Sequence, residues 1–335
     1  MSSTSIVVVP RAPIASPSLA EDVARAAAHA MHARSANTRR SYARDWERWE
    51  AYAFEHGASA LPASPLVVAA YMAHLDAEGL APSSLDVAMA AIVDRHRAAR
   101  VALPSNDPAV RDVMAGIRAH RGTRPRAKAP LSPTDLRAML EALPSTTLGV
   151  RDRALLLVGF AAALRRAELV ALDVAHVSFH REGIIVHVAR SKTDQLGEGA
   201  DVPVHAAGGA LCPVQALRAW LDASKIVGGP IFRRVDRWGR VGTNALTGRA
   251  VALIVKKAAE RAGLDAEDLA GHSLRAGFAT TAARAGANLA EIGRVTRHAS
   301  EGMIRRYIRQ GTAFERDPLR GVLKQSKDHA AGPLP

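Results

Sequence analysis

Four polar side chains near the C-terminal end of the sequence have the types and spacing for chemistry on a phosphate. They are His272, Arg275, His298 and Tyr307, in the stretch from Gly271 to Gln310. His272 and Arg275 stand three residues apart in an alanine-rich helical pattern, so both side chains project from one face about a turn apart. They can reach one ligand together. Gly286 reads as a helix C-cap, Asn288 opens a shorter segment, and Ala299 to Arg309 reads as a last helix carrying Tyr307. An arginine offers a rigid fork of donors that matches a phosphate, an imidazole can pass a proton or bond to an oxyanion, and a phenol is a potential nucleophile. Together these suit phosphoryl transfer. Free tyrosine ionises near pH 10, so a cationic cluster that favours the phenolate is physically useful.

The elements that would position further groups lie upstream. Residues Asp152 to Ala162 are nearly all apolar and predict a buried helix, followed by Ala163-Leu164-Arg165-Arg166-Ala167-Glu168-Leu169. Burying Arg165 beside that core is costly unless it meets an anion or a carboxylate. Ile184 to Ala189 alternates β-branched residues, Ser191 to Ala200 is turn-rich, and Asp201 to His205 reads as a returning strand. Lys192 lies on that hairpin. Taken alone, a lysine beside a turn is usually just solvated.

The chain of 335 residues is long enough for two domains with good cores, and its 48% hydrophobic content argues for a globular protein. Net charge is +13. Residues 1–122 hold 13 Arg against 12 acids, residues 123–128 add 3 basic residues, and residues 129–335 hold 29 basic against 20 acidic ones. The excess therefore sits in the middle and the C-terminal part, and points to a polyanion, most simply nucleic acid. The 38 Arg to 7 Lys suggest a coding bias, which explains the choice of arginine but not the excess over acids. No apolar run approaches a membrane span; Ile6 to Val9 is too short for a signal-peptide core, so a cytoplasmic protein without membrane partners is expected. The single Cys212 rules out an internal disulfide framework, and the scattered histidines imply no metal site.

Residues 1–18, rich in Ser, Pro and Val, read as a flexible arm. Residues 19–122 read as a compact four-helix domain. Tyr42, Trp46, Trp49 and Ala53 recur at helical spacing after Ser35, and Ser64-Pro65, Ala81-Pro82 and Asp107-Pro108 each open a further helix. Residues 123–131 form a basic linker with Arg124, Arg126 and Lys128, and Ser132-Pro133-Thr134-Asp135 caps the first helix of a second domain, residues 132–323. Pro213 to Ala223 and Thr243 to Ala262 predict helices. Arg233, Arg234, Arg237 and Arg240 are interleaved with Phe232 and Trp238 in a stretch that could track a nucleic-acid backbone or simply be a solvated loop. Phe314, Leu319, Val322 and Leu323 make a small apolar patch, and residues 324–335 are expected to be disordered.

The C-terminal stretch resembles the C-terminal box of the tyrosine recombinase (phage integrase) family, in which His-x-x-Arg precedes a second histidine and then the nucleophilic tyrosine. The nine-residue spacing from His298 to Tyr307 fits it. The family's usual Leu-Gly-His is here Thr296-Arg297-His298, and its Gly-Leu-Arg-x-x-Glu-Leu is here Ala163 to Leu169, with Ala163 in place of glycine. Ser191-Lys192-Thr193-Asp194 resembles the hairpin lysine, and Thr38 to Tyr42 the Thr-x-x-x-Tyr that opens the N-terminal half. The resemblance covers residues from about 35 to 323.

It implies a mostly α protein with a small β-sheet (α+β): a helical SAM-like core-binding domain followed by a tyrosine recombinase catalytic domain. It implies site-specific DNA recombination through a 3′-phosphotyrosine intermediate. Tyr307 would be the nucleophile, Arg165 and Arg275 would neutralise the phosphate, Lys192 would protonate the leaving oxygen, His272 would take the proton of Tyr307, and His298 would bond to the phosphate. Glu168 would support the site. Bond energy is conserved, so no cofactor is implied. The partner is double-stranded DNA carrying a specific site, gripped by a homo- or hetero-tetramer on two sites, with accessory DNA-bending proteins in some members. Candidate DNA contacts are Arg39, Arg40, Arg44, Arg124, Arg126, Lys128, Arg233 and Arg234. Two other classes account for part of the pattern: a helix-turn-helix protein that binds without cleaving, and a type IB topoisomerase.

Overall fold

Proline and serine punctuation sets the first helices. The computed structural model describes residues 19, 21–25, 35–122, 128–189, 199–297 and 301–311. Contacts divide the chain into two units, Met1–Arg126 and Ala127–Pro335.

In the first unit Ser35 caps α1 (Ala36–Glu55) by accepting from the Thr38 N–H. Proline at the first turn starts α2 (Pro65–Ala77), α3 (Pro82–Ala98) and α4 (Pro108–Arg121), where a missing N–H costs nothing because that donor has no intrahelical partner. Asp107 completes the α4 cap by accepting from Ala109. The inward faces bring Trp49, Tyr71, Met72, Leu85, Ile92 and Met114 into one core. Burying such side chains contributes about 1.5–3 kcal/mol each. His96 is fully buried: Nδ1 faces the Ile92 carbonyl at 2.8 Å, and Nε2 accepts from the Ala63 N–H at 2.9 Å.

The second unit is built around one apolar helix. Ser132 and Asp135 form a capping box at α5 (Pro133–Glu141), and Thr146 caps α6 (Thr147–Ala161). Helix α6 starts five residues before Asp152, where the Thr146 cap sets its first turn and Arg151 and Asp152 interrupt the apolar pattern. From Ala154 to Val158 it is buried all round. After α7 (Arg166–Val170) come β1 (Val177–Phe179), β2 (Gly183–Val188) and β3 (Ala200–His205), an antiparallel sheet in the order β1-β2-β3. Its register sets Ile184 opposite Val204 and Val186 opposite Val202, so alternate residues face the core.

Helix α8 (Pro213–Ser224) follows, then a hairpin of β4 (Arg233–Val235) and β5 (Val241–Ala245), then α9 (Gly248–Arg261). The helix expected from Thr243 therefore begins at Gly248. Residues 241–245 are a short, largely exposed strand whose polar composition carries no period-2 signal. The chain closes with α10 (Gly271–Arg284), α11 (Leu289–Thr296) and α12 (Glu301–Gly311). Helix α6 packs against α8 and α10, and α10 against α12. Gly277 makes the approach of α10 possible, since a Cβ there would run into the Leu131 carbonyl. Among the described residues, no helix is long and apolar enough to cross a membrane.

Candidate active site

The C-terminal end of α6 and the N-terminal turn of α10 meet, and their polar residues converge there. Arg275 is fully buried and donates from Nη1 to the Ala163 carbonyl at 2.8 Å. That carbonyl belongs to the turn leaving α6, where an uncompensated carbonyl and the negative end of the helix dipole both attract a cation. Ala163 itself has φ +48°, the left-handed region that glycine tolerates best. The bend delivers Arg165 as the residue before α7, half-buried, with Arg166 exposed beside it.

Glu168 organises this corner. Its Oε2 accepts from the Arg165 backbone N–H at 2.8 Å, and its Oε1 from Arg165 Nη1 at 2.6 Å. A third arginine, Arg297, donates from Nη2 to Oε2 at 2.8 Å. Arg297 also donates from Nη1 to the Val295 carbonyl at 2.7 Å, and its own carbonyl accepts from Arg165 Nη2 at 3.3 Å. It ends α11 at φ +51°. Thus Ala163 and Arg297, the two residues that stand where the resemblance led us to expect glycine, both keep the left-handed turn that glycine would have eased. Each accepts a backbone penalty of about 1–2 kcal/mol. Arg297 was missed in sequence because its significance depends on which carboxylate it meets; the available signal was its position next to His298 in place of a glycine.

Burial alone pushes the Glu168 carboxyl up, but the hydrogen bonds from Arg165 and the charges of Arg297 and Arg165 outweigh it and hold the group below the ordinary carboxylate range. Burial, reinforced by the neighbouring Arg165, pushes Arg275 down to about 10, still protonated at neutral pH.

Tyr307 is buried on α12 in a small cluster of Ala276, Ala279, Ala283, Ile292 and Ile304, distinct from the main core of this unit. Its hydroxyl lies 3.0 Å from His272 Nε2. Although part of His272 is exposed, the crowded side of its ring, with the charges of Arg275, Arg165 and Arg166, holds its pKa below the usual histidine value. The expectation that the cations would favour a tyrosinate is not met. Burial raises the Tyr307 pKa and outweighs the lowering by Arg275 and Arg306. The resting pair is a neutral phenol beside a neutral imidazole, an arrangement suited to transferring a proton as the oxygen attacks.

The family model described as "Phage integrase family" matches residues 130–313, and that of "Phage integrase, N-terminal SAM-like domain" matches residues 30–101. The chain belongs to the phage integrase family. Its tyrosine recombinases break and rejoin DNA strands, and this chain is such an enzyme, with the mostly α, small-sheet fold of a SAM-like domain and an integrase catalytic domain. It is 40% identical to the Integrase/recombinase xerD homolog of Selenomonas ruminantium over 288 residues, 84% of each chain. It is 26% identical over 281 residues to Recombinase cre of Escherichia phage P1, covering 78% of this chain and 80% of that one. Among solved structures, the Tn1549 transposon integrase in complex with transposon right end DNA matches with a TM-score of 0.58 at 15% identity, covering 82% of this chain and 89% of that one; this likeness concerns the fold.

Of the integrase-family residues anticipated in the sequence, Arg165, Glu168, His272, Arg275 and Tyr307 converge in this corner. Lys192 and His298 lie outside the described residues, as do Arg124, Arg126 and the apolar residues from Phe314 to Leu323. Arg39, Arg40 and Arg44 are exposed on α1, where Arg44 Nη2 pairs with Asp45 Oδ1 at 2.9 Å. Lys128 donates to the Glu267 carbonyl. Arg233 is half-buried and donates from Nε to the Pro230 carbonyl at 2.8 Å, whereas Arg234 is exposed.

Proposed function

We propose that the protein is a site-specific tyrosine recombinase in which Tyr307 attacks a phosphodiester of duplex DNA. The supporting observation is the 3.0 Å approach of His272 Nε2 to Tyr307 Oη beside the guanidinium pair of Arg165 and Arg275. As the tyrosine oxygen bonds to phosphorus, its proton passes to neutral His272, and the bond to the 5′-oxygen breaks. A 3′-phosphotyrosine and a 5′-hydroxyl result. Arg165 and Arg275 neutralise the non-bridging oxygens of the pentacoordinate transition state, a contribution of several kcal/mol by analogy with the roughly 2.7–4 kcal/mol of one oxyanion donor. Lys192 supplies the proton to the leaving oxygen and His298 bonds to the phosphate. A 5′-hydroxyl from the partner strand then displaces Tyr307, with the proton steps reversed.

On this reading residues 19–122 are the clamp that grips one side of the duplex, residues 123–131 the linker, and residues 132–323 the catalytic domain and its tail. Arg39, Arg40, Arg44, Arg124, Arg126, Lys128, Arg233 and Arg234 are the candidate phosphate contacts. Four subunits act on two sites, in some settings with accessory DNA-bending proteins.

Plasmids carrying two copies of a candidate site test the reading. Exchange between the sites, lost in Tyr307→Phe, is the expected result. Relaxation of supercoils without exchange would indicate a topoisomerase, and sequence-specific binding without strand cutting would leave a DNA-binding protein.

A further inference from the structure

The turn between β4 and β5 presents an aromatic side chain that no core requires. Trp238 is 66% exposed, whereas Trp46, Trp49 and Trp220 are at most 6% exposed. The exposure is built in. Asp236 Oδ1 accepts from the backbone N–H groups of Trp238 at 2.8 Å and Arg240 at 2.9 Å, and the Asp236 N–H donates to the Arg240 carbonyl at 3.0 Å. Gly239, at φ +83°, closes the turn. Below it, Arg151 Nη1 donates to the Arg233 carbonyl at 3.3 Å and ties the hairpin to α6.

The charge around the indole is one-sided. The Arg237 guanidinium lies over the ring, 4.1 Å from its centroid, with that of Arg240 at 5.6 Å. Arg234 is exposed on the adjoining strand. Asp236 is the one acid between residues 233 and 245, and its Oδ1 is occupied by the two backbone donors. A fixed aromatic plate carrying guanidinium groups fits a polyanion with flat apolar faces. Phosphates satisfy the cations and sugar or base surfaces cover the ring.

We infer that the Trp238 turn is a DNA contact remote from the reacting phosphodiester, with Arg237 and Arg240 on phosphates and the indole packed on the sugar and base edges between them. Gly239 lies next to Thr147, at the start of α6, while the catalytic corner is at the other end of that helix. A helix of this length spans about 22 Å, or about six base pairs of duplex. The inference rests on the proposed DNA-cutting role and extends it to a binding surface outside the active site.

Tryptophan emission tests it directly, because Trp238 is the exposed member of the set. Wild type, Trp238→Phe and the double variant Arg237→Gln/Arg240→Gln are titrated with a mixed-sequence duplex of about 30 base pairs. Binding is followed by anisotropy of labelled DNA and exposure by acrylamide quenching. The expected result is a quenchable component in free wild type, absent from Trp238→Phe, that becomes protected on binding. The double variant is expected to bind about tenfold more weakly, with a log–log salt slope shallower by about two. Binding by wild type with Trp238 as quenchable as before, and an unchanged salt slope in the double variant, would overturn the inference and leave the recombinase reading intact. No binding of this duplex by wild type, even at low salt, would also overturn the inference, while the recombinase reading would still stand or fall on the candidate-site plasmids.

Discussion

Replacing Arg297 by glycine sets two effects against each other. The side chain is 9% exposed and its Nη2 lies 2.8 Å from Glu168, whose side chain is 3% exposed. Removing one partner of a buried ion pair costs about 3–5 kcal/mol when nothing else holds the remaining charge. Glu168 keeps the backbone N–H and Nη1 of Arg165 at 2.8 and 2.6 Å, which brings the cost to about 2–3 kcal/mol. Glycine also relaxes the left-handed backbone at φ +51°, returning about 1 kcal/mol. Arg297→Gly is therefore expected to lose about 1–2 kcal/mol of stability, and Arg297→Ala, without the backbone relief, about 2–3 kcal/mol. Both variants should cleave about tenfold more slowly, equivalent to about 1.4 kcal/mol, because Arg165 is drawn into closer pairing with a carboxylate that has lost its second cation. DNA affinity is expected to hold, since Arg297 acts through Glu168. Urea unfolding and single-turnover cleavage measure the two quantities. Wild-type values in both assays for both variants would refute the idea that Arg297 positions this corner; greater destabilisation by glycine than by alanine would refute the backbone argument.

Other consequences follow from the same geometry. His272 is held below its ordinary pKa of about 6.5, so with His272 as the proposed proton acceptor the acid limb of single-turnover cleavage should fall below pH 6.5 and be abolished in His272→Gln; a limb above pH 6.5 in wild type would contradict the assignment. Over that window the unfolded chain binds more protons at this site than the folded one, so His272 makes stability rise with pH, and urea titrations of wild type against His272→Gln measure the difference. Arg275→Lys keeps the charge but not the planar fork, and is expected to slow cleavage about 100- to 1,000-fold; full activity would show that only charge matters there. Ile304→Ala removes a side chain that is 3% exposed from the small cluster around Tyr307, a loss of about 2–5 kcal/mol. The effect should concentrate in α12, visible as faster amide exchange there than in α6, and uniform exchange across both would contradict the separation of the two clusters.

Much of this was legible before the fold was known, for local reasons. The spacing of His272 and Arg275 needs only a helix to put them together, and capping residues such as Ser132 and Asp107 act over two or three residues. Arg165 was conspicuous because a cation follows directly on an apolar run. The remainder depends on partners distant in sequence. Strand β5 was hidden because its stability comes from pairing with β4 and not from its own polar residues. Arg297 gained its role by meeting Glu168, 129 residues earlier, across a turn where glycine was expected. The direction of the Tyr307 pKa follows from burial by α10 and α11, which composition near the tyrosine does not reveal.

The most direct test of Tyr307 as nucleophile is covalent trapping. Wild type and Tyr307→Phe are incubated with nicked suicide duplexes carrying candidate sites, resolved on denaturing gels, and the adduct is mapped by peptide mass spectrometry. A 3′-phosphotyrosine at Tyr307 in wild type and no adduct in the variant is the expected result. Site-specific binding by both proteins with no adduct from either, or an adduct at another residue, would contradict it.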